Sequence, residues 1–423
     1  MLHGWPASDM GGTGLYVASL SAALAEAGHD VIAVVPGVGP LGIIEGAGHV
    51  RLQAPTPTRF EETWRRRELD GLFAAWLRRW APDVVHIHHL SGLSIGLIAV
   101  ARRAGVRVVL TLHDYALPCA RGQLIDRDLR PCPGPTPPRC AVCLTEHLRL
   151  DPLSGAVGGL LRRWPALRRA ARSQVAALAP PPHATARITD RMRSVSAALS
   201  KVDVLLSPSA DLAARFLSLG LPTPRVFSLP LIRAVPPAPA APAGPVRFLF
   251  ASSVIPTKGP HLLAEAFSRL PPGAARLTIV GPAPPMDGQP DFVAQLDAQL
   301  AAIPDAQRRP AVDAAAIPAL LANHDVLVLP SLWPENSPLI VREAAAAGLV
   351  LIVSQQGGAG ELAPQARRIP AGDVSALTQA LAAEVSAGRR RVPPAIWLTP
   401  SQHVDWLIRE VYRSHGADQK ASG

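Results

Sequence analysis

Aromatic residues, cysteine and long apolar runs are all scarce in this sequence. Phe, Trp and Tyr make up 4% of the chain, and there are only 4 Cys. No apolar run reaches the roughly 18 residues that cross a bilayer. The start lacks a basic stretch followed by an apolar one, so we expect no signal peptide. We therefore predict a cytoplasmic protein without a transmembrane helix, in a reducing compartment where disulfides are rare.

The length and the hydrophobic content of the chain indicate a globular protein of more than one domain. Of its 423 residues, 48% are hydrophobic and 17% charged, and the formal net charge is +10. A chain of this length exceeds one ordinary hydrophobic core, which predicts two or three domains. The positive charge favours an anionic partner, which could be a phosphorylated ligand, nucleic acid or an anionic membrane surface.

Short apolar strands alternate with helix-like stretches along most of the chain. The strand-like "DVVHIHHL" and "RVVLTLHDY", for example, flank the helical "GLSIGLIAVARRAGV". This rhythm predicts parallel βαβ units and an α/β fold. A Pro- and Ala-rich stretch at 234–245 interrupts the rhythm and indicates a stiff linker. We predict two facing Rossmann-like domains, 1–233 and 246–398, with a cleft between them and a C-terminal helix in 399–423 that packs back on the first domain.

Loops at the predicted strand ends carry chemistry that suits a ligand. In "DMGGTG" at 9–14, Gly11 and Gly12 precede a helix, whose N-terminal N–H groups attract anions. Lys258 lies in a strand-to-helix turn, and "SQQGGAGE" places Gly357 and Gly358 in another. Taken singly, each loop also fits a structural turn or a solvated Lys. Because open α/β sheets bind ligands beyond the carboxyl ends of their strands, the loops together predict one site.

The stretch "SLWPENSPLIVREA" at 331–344 holds two carboxylates, Glu335 and Glu343, with seven residues between them. Ser337 is a good helix N-cap and Pro338 a good first-turn residue. Glu335 is therefore expected in the turn and Glu343 inside the helix. Carboxylates accept two hydrogen bonds each and suit the vicinal hydroxyls of a sugar, although two acids at such a spacing also occur by chance.

These motifs together resemble those of the retaining family 4 glycosyltransferases. "PENSPLIVREAAAAG" and "SQQGGAGEL" match the family's signature. Earlier in the chain, "GGTGLYVASLSAALAEAGHDV", "TLHDYALPCARGQL" and "KGPHLLAEAF" occur in the same order as in the family. The resemblance implies the two-lobed GT-B fold and a hexosyltransferase-type activity (EC 2.4) that takes a sugar from a nucleoside-diphosphate sugar. It also implies that catalysis needs no metal.

The resemblance also implies roles for single residues. Glu343 would bind the ribose, Glu335 the sugar hydroxyls near the reacting carbon, and Lys258 the diphosphate, while His113 would face the donor sugar. A strand-end His bonded to the backbone is the alternative for His113. The implied catalytic residues are Glu335, His113 and Lys258. The implied substrate-binding residues are Gly11, Gly12, Ser253, Lys258, Asn336, Ser337, Pro338, Leu339, Glu343, Gly357 and Gly358.

Two departures from the family's pattern stand out. The family often carries an Arg five residues before the Lys, but this chain has Ser253 there, so diphosphate neutralisation would fall on Lys258 or on an Arg elsewhere. Only Met1 and Leu2 precede "HGWP", so the first, central strand of the N-terminal sheet is expected to be nearly absent.

All four cysteines, Cys119, Cys132, Cys140 and Cys143, fall in one Pro-, Gly- and Arg-rich loop with the spacing C-x12-C-x7-C-x2-C. A C-x2-C pair with two more Cys nearby predicts a structural, non-catalytic zinc site. An iron–sulfur cluster and four metal-free thiols are the alternatives. The resemblance places the chain in a subgroup with such a Cys insertion after the "HDY" motif.

A basic stretch at 154–200 resembles amphipathic helices that lie on anionic membranes, or else forms a solvated helical face. The membrane interpretation suits a peripheral enzyme of the inner membrane face that builds lipid-linked or cell-surface polysaccharide. Two other functions compete with glycosyl transfer: a nucleotide-sugar epimerase on the same fold, and a basic zinc-containing nucleic-acid-binding protein. The scarcity of aromatics and of recognition motifs counts against nucleic acid as a partner.

Overall fold

The computed structural model describes residues 1–4, 11–144, 182–239, 243–286, 289–362 and 364–413. These residues form two α/β domains, each built on a largely parallel sheet, as the sequence predicts. The predicted C-terminal tail beyond residue 413, and the part of the basic stretch between 154 and 181, lie outside the described residues.

The described residues of the N-terminal domain form seven strands in two groups, ordered β1-β3-β2 and β4-β5-β6-β7. Among these strands, β2 and β3 pair antiparallel and the other pairs are parallel. The strands are β1 (Ala33–Val38), β2 (Gly42–Gly46), β3 (His49–Ala54), β4 (Val84–Ile87), β5 (Arg107–Thr111), β6 (Val204–Ser207) and β7 (Arg225–Val226).

In the described residues, Leu2 joins the two strand groups. It forms parallel bridges to Val34 of β1 and to Ile87 of β4, and it is 1% exposed. Its backbone N–H donates to His86 O at 2.8 Å, and its carbonyl accepts from His88 N at 2.8 Å. Leu2 thus occupies the strand position between β1 and β4.

The helices of this domain cover the sheet with apolar faces. Leu69, Phe73 and Leu77 in α2, for example, recur at helical spacing and are buried. The helices are α1 (Gly12–Glu26), α2 (Arg67–Trp80), α3 (Gly96–Arg103), α4 (Pro137–Cys143), α5 (Pro182–Leu199) and α6 (Ala210–Ser218).

The C-terminal domain has a six-stranded, wholly parallel sheet in the order β10-β9-β8-β11-β12-β13. Its central strand reads "VLVL" and is buried throughout, as a parallel strand covered on both faces should be. The strands are β8 (Val246–Ala251), β9 (Ala275–Val280), β10 (Ala306–Arg309), β11 (Val326–Leu329), β12 (Val350–Ser354) and β13 (Arg367–Ile369). The helices are α7 (Pro260–Phe267), α8 (Phe292–Ala301), α9 (Ile317–Ala322), α10 (Leu339–Ala346) and α11 (Val374–Ala387).

The chain then returns to the first domain through α12 (Pro400–Leu407), which a turn of π-helix extends to Tyr412. Thr399 caps α12, its hydroxyl accepting from Gln402 N at 3.2 Å. The helix packs on α1, where the Tyr16 hydroxyl lies 2.8 Å from His403 Nε2. None of the helices in the described part of the chain has the length and apolar character that crossing a membrane demands.

The segment after β5 is more ordered than a loop without a core would be. Leu124 and Ile125 are 3% and 2% exposed, and Cys140 and Cys143 lie on α4, which packs against α5. These contacts were not predicted from the sequence, because the apolar residues are few and their partners lie on a distant helix.

Basic residues of α5 face the protein as well as the solvent. Arg187 forms a two-bonded pair with Glu61 at 2.6 and 2.9 Å, and Arg191 is 7% exposed, whereas Arg193 is exposed. In the described part of the basic stretch, therefore, the arginines do not form one solvent-facing row.

Candidate functional site

A cleft of about 690 Å³ lies between the two domains, within the range of cavities that take a small ligand. The N-terminal domain lines it with the start of α1, the end of β5 and the chain leading out of β7. The C-terminal domain lines it with the loops that follow β8, β9 and β11 and with the first turns of α10. These are the carboxyl ends of parallel strands, where open α/β sheets bind ligands.

Lys258 and Glu335 meet in this cleft from two different loops. Lys258 ends the 3-10 turn Pro256–Lys258 before α7, and its Nζ donates to Glu335 Oε1 at 2.5 Å. The same oxygen accepts from Ser331 Oγ at 2.7 Å and from Trp333 Nε1 at 2.8 Å. All three donors converge on Oε1, which leaves Oε2 without a hydrogen bond to any described residue. Glu335 is thereby held rigidly while one oxygen stays available to a ligand.

Glu343 lies inside α10 and is 3% exposed, while Glu335 lies in the preceding turn, as the spacing predicts. Arg233 Nη1 donates to Glu343 Oε1 at 2.5 Å. Burial raises the pKa of Glu343 to about 7, against the lowering effect of Arg233. A carboxyl with this pKa changes charge near neutral pH, so its capacity to accept two hydroxyl hydrogen bonds depends on pH.

His113 and Asp114 form the wall on the N-terminal side, together with the start of α1. His113 Nε2 lies 3.3 Å from His88 Nδ1. Burial lowers the pKa of His113 to about 3, so its imidazole is neutral at physiological pH and offers a ligand hydrogen bonding but no positive charge. Asp114 accepts from His89 Nε2 at 3.1 Å and from Ala116 N at 2.8 Å.

Most of the residues expected in the site do line this cleft. Besides Lys258, Glu335, Glu343 and His113, the set comprises Gly11, Gly12, Ser253, Asn336, Ser337, Pro338 and Leu339. The helix cap differs by one residue from the expectation. Pro338, with extended backbone, is the N-cap of α10, and the Ser337 hydroxyl accepts instead from Arg342 Nε at 3.1 Å.

Gly357 and Gly358 lie outside the cleft lining and serve close packing of the backbone. Gly357 has φ +83°, and a Cβ there would approach Glu335 O to 2.3 Å. Gly358 N donates to Glu335 O at 2.6 Å. The turn thus supports the Glu335 loop from behind.

Asn336 joins the two domains beside the cleft. Its Oδ1 accepts from Ser209 Oγ at 2.6 Å, and its Nδ2 donates to Leu112 O at 3.0 Å. Nearby, the Glu361 carboxylate accepts from the backbone N–H groups of Ala210 and Asp211 at the start of α6. These bonds fix the loop of one domain against the other.

Arg233 and Asp114 are site residues that the sequence analysis missed. Arg233 lies at the edge of the linker, in no motif, and its partner Glu343 is 110 positions away. Asp114 follows His113 directly and could have been selected on that ground. Among the described residues that line the cleft, the Lys and Arg side chains are Lys258 and Arg233.

The four thiols do not support the predicted zinc site. They lie close enough for Cys119, Cys132 and Cys143 to act electrostatically on Cys140. Within the ranges that the structure describes, which include all four, no three or more His, Cys, Asp or Glu side chains are arranged to hold a metal ion.

Two family profiles match the sequence. The profile of Glycosyltransferase Family 4 matches residues 10–230, and that of Glycosyl transferases group 1 matches residues 245–385. Together they cover both domains. No curated protein matches the sequence at a significant level.

Solved structures share the architecture at low sequence identity. A sucrose-phosphate synthase from Thermosynechococcus elongatus superposes with a TM-score of 0.60 at 17% identity, covering 94% of this chain and 89% of that one. HepE from Anabaena, in complex with UDP and glucose, gives 0.55 at 15% identity over 90% and 88%. A structure described as trehalose-6-phosphate from E. coli, bound with UDP-2-fluoro glucose, has a TM-score of 0.56 at 12% identity, covering 96% of this chain and 94% of that one. The two-domain fold is therefore that of the GT-B structures.

Proposed function

The chain belongs to glycosyltransferase family 4, whose members are retaining enzymes that use nucleotide sugars, and we propose that it transfers a sugar from a UDP-sugar to a glycan or lipid-linked acceptor. The observation that carries this proposal is the meeting of Lys258, Glu335 and Glu343 in one interdomain cleft. UDP and glucose occur together in the HepE complex, which makes UDP-glucose the first donor to test.

Each of the three side chains has a role that its surroundings support. Lys258 places a positive charge where the leaving diphosphate gains negative charge. Glu335 Oε2 accepts from sugar hydroxyls, since Oε1 is already bound to three donors. Glu343 accepts from the ribose hydroxyls through the oxygen that Arg233 leaves unbound.

Retention fits attack of the acceptor on the same face of the sugar from which the phosphate leaves. The bond between the anomeric carbon and the phosphate oxygen breaks, the bond to the acceptor oxygen forms, and the acceptor proton passes to the leaving phosphate. Lys258 stabilises that phosphate, and the neutral His113 lends a hydrogen bond to the sugar. Arg233 supplies a second cation near the nucleotide, which offsets the Ser253 that stands where the family often has Arg.

The experiment is to incubate the protein with UDP-glucose and measure UDP release by a coupled assay. Net UDP release that Lys258→Met abolishes, and that rises when an accepted glycan is added, supports glycosyl transfer. Lys201→Met is the matched control, since Lys201 is an exposed Lys outside the cleft. Conversion of the sugar without net UDP release would instead support the nucleotide-sugar epimerase.

The nature of the acceptor and the place of action belong to the same proposal. The net charge of +10 suits an anionic surface, and the basic stretch 154–200 would supply the contact for a lipid-linked acceptor. Sedimentation of the protein with phosphatidylglycerol vesicles at low salt, and its release at high salt, tests this contact. Equal sedimentation with neutral phosphatidylcholine vesicles would contradict it.

A further inference from the structure

A second cavity, of about 210 Å³, adjoins the donor cleft within the N-terminal domain. His113 and Asp114 line both spaces, so the cavity lies on the acceptor side of the cleft. Trp64 and Arg191, the latter from α5, contribute to its other walls. The volume is below the roughly 300–1,000 Å³ of pockets for drug-sized ligands, so the cavity suits one sugar ring or one charged group.

Arg191 is a buried cation without an anionic partner. Its side chain is 7% exposed, and its one hydrogen bond within the described part of the chain runs from Nη2 to Ala116 O at 2.6 Å. No carboxylate of the described residues forms an ion pair with it. A buried charge is ordinarily paired, because removing it from water is costly unless an opposite charge compensates.

The carboxylates near Arg191 do not supply that opposite charge. Burial lowers the pKa of Arg191, and no Asp or Glu of the described residues is among the groups that act to raise it. The carboxylate of the cavity wall, Asp114, already accepts from His89 and from Ala116 N.

A guanidinium without an ion pair that borders a small cavity has an oxygen-rich anion as its complement.

We propose that this cavity binds a phosphate or carboxylate group of the acceptor, with Arg191 as its cation. The inference rests on the proposed glycosyl transfer and specifies its acceptor as an anionic one. The planar guanidinium fork donates two parallel hydrogen bonds to such a group and thereby orients it. The shared wall of His113 and Asp114 then places the accepting hydroxyl of the same molecule at the donor cleft.

The first test is calorimetric titration of inorganic phosphate into protein saturated with UDP, so that the donor site is already filled. We expect wild type to bind phosphate and Arg191→Gln to bind it about tenfold more weakly or worse, since charge-assisted hydrogen bonds are the strong ones. The matched control is Arg193→Gln, an exposed Arg of the same helix, which should bind as wild type does. Equal affinity in wild type and Arg191→Gln, or no phosphate binding by wild type, would overturn the proposal.

A further variant keeps the test sound if Arg191→Gln lowers the stability of the fold. Arg191→Lys retains the charge but loses the planar fork, so its affinity for phosphate should fall between those of wild type and Arg191→Gln. Unchanged affinity in Arg191→Lys and Arg191→Gln would likewise count against the site.

The source of the anionic group is distinguished with matched probes. Glucose, glucose 6-phosphate and glucuronate are compared as soluble ligands, and polyprenyl phosphate is presented in phosphatidylcholine vesicles. Tighter binding of the soluble anionic sugars, dependent on Arg191, assigns a sugar phosphate or sugar acid, and the same dependence confined to the vesicles assigns a lipid phosphate. Identical binding of glucose and all anionic probes would refute the inference.

UDP affinity and UDP release from UDP-glucose are measured on the same samples. Their absence in wild type would contradict the proposed glycosyl transfer itself. Intact UDP binding and release with no effect of Arg191 would contradict the anionic acceptor alone.

Discussion

His403 should make the folded protein sensitive to mild acid, because it is buried where a charged imidazole is unfavourable. It is 1% exposed, its ring packs beside those of Phe227 and Trp406 at centroid distances of 5.5 and 5.9 Å, and its Nε2 lies 2.8 Å from the Tyr16 hydroxyl. Burial, with a smaller contribution from Arg342, lowers its pKa to about 4 from the ordinary 6.5. The residue joins α12 to α1 and so connects the two ends of the chain.

The sign and size of the effect follow from proton linkage. The unfolded chain binds a proton at His403 near pH 6.5, whereas the folded protein binds it only near pH 4. The stability that the neutral His403 confers is therefore complete above pH 6.5 and is lost progressively as the pH falls from 6.5 to 4. Between pH 7.5 and 5.5 this one residue should lower the free energy of unfolding by about 1.4 kcal/mol.

The assay is urea unfolding at pH 7.5 and at pH 5.5, with wild type and His403→Gln compared. Gln keeps a hydrogen-bonding partner for the Tyr16 hydroxyl but does not titrate. The variant should thus be less stable at pH 7.5 yet lose about 1.4 kcal/mol less than wild type on acidification. The control is His29→Gln, in which an exposed His is removed and the pH dependence should stay that of wild type. Equal pH sensitivity in wild type and His403→Gln would refute the reasoning.

Three further predictions concern the cleft. Glu335→Gln should reduce the rate of sugar transfer by about a hundredfold or more, while its UDP affinity stays within a few-fold of wild type. Glu343→Ala should weaken UDP binding at least about tenfold. Near-wild-type kinetics in both variants would contradict the two roles. Arg233→Gln should raise the pKa of Glu343 further, because the neighbouring positive charge is removed. UDP affinity, measured by calorimetry from pH 6 to 9, should therefore reach its full value only at a higher pH than in wild type. An unshifted profile would show that Arg233 does not control the pKa of that carboxyl. Asn336→Leu removes both of its interdomain hydrogen bonds and should lower the free energy of unfolding by about 2–4 kcal/mol in urea titrations, whereas a loss below about 0.5 kcal/mol would place the interdomain stability elsewhere.

The sequence was sufficient for the alternation of strands and helices because each element carries its own periodicity. The run "VRFLFAS" became β8 and "DVLVLPS" became β11, since apolar residues that pack on both sides of a parallel strand are contiguous in the chain. The turn before α10 could also be predicted, because Ser-Pro is a local signal for the start of a helix. The one-residue difference at its cap reflects the competition for the Ser337 hydroxyl by Arg342, a contact that propensities do not include.

The contacts that complete the cleft could not be read in this way, since they join distant positions. Lys258 and Glu335 are 77 positions apart, and Arg233 and Glu343 are 110 apart. The motifs correctly predicted Glu335 before the helix start and Glu343 after it. They did not predict that Lys258, Ser331 and Trp333 would all donate to the same oxygen of Glu335. Pairing of this kind depends on how close the loops after β8 and β11 lie to one another. That closeness follows from the order of the strands in the sheet, in which β8 and β11 are neighbours.

Arg191 is the clearest case of a residue whose surroundings the local sequence does not predict. Lys and Arg together number 42 in the chain, and the basic stretch around Arg191 was interpreted as a surface for membranes. Helical spacing does place Arg187 and Arg191 on one face, but the pattern is the same whether that face meets water, lipid or protein. In the structure, Arg187 meets Glu61 and is thereby compensated, whereas Arg191 borders a cavity and forms no ion pair with any described residue. The cost of leaving such a charge uncompensated is what turns an ordinary basic residue into a candidate acceptor contact, and that cost becomes visible only once the burial is known.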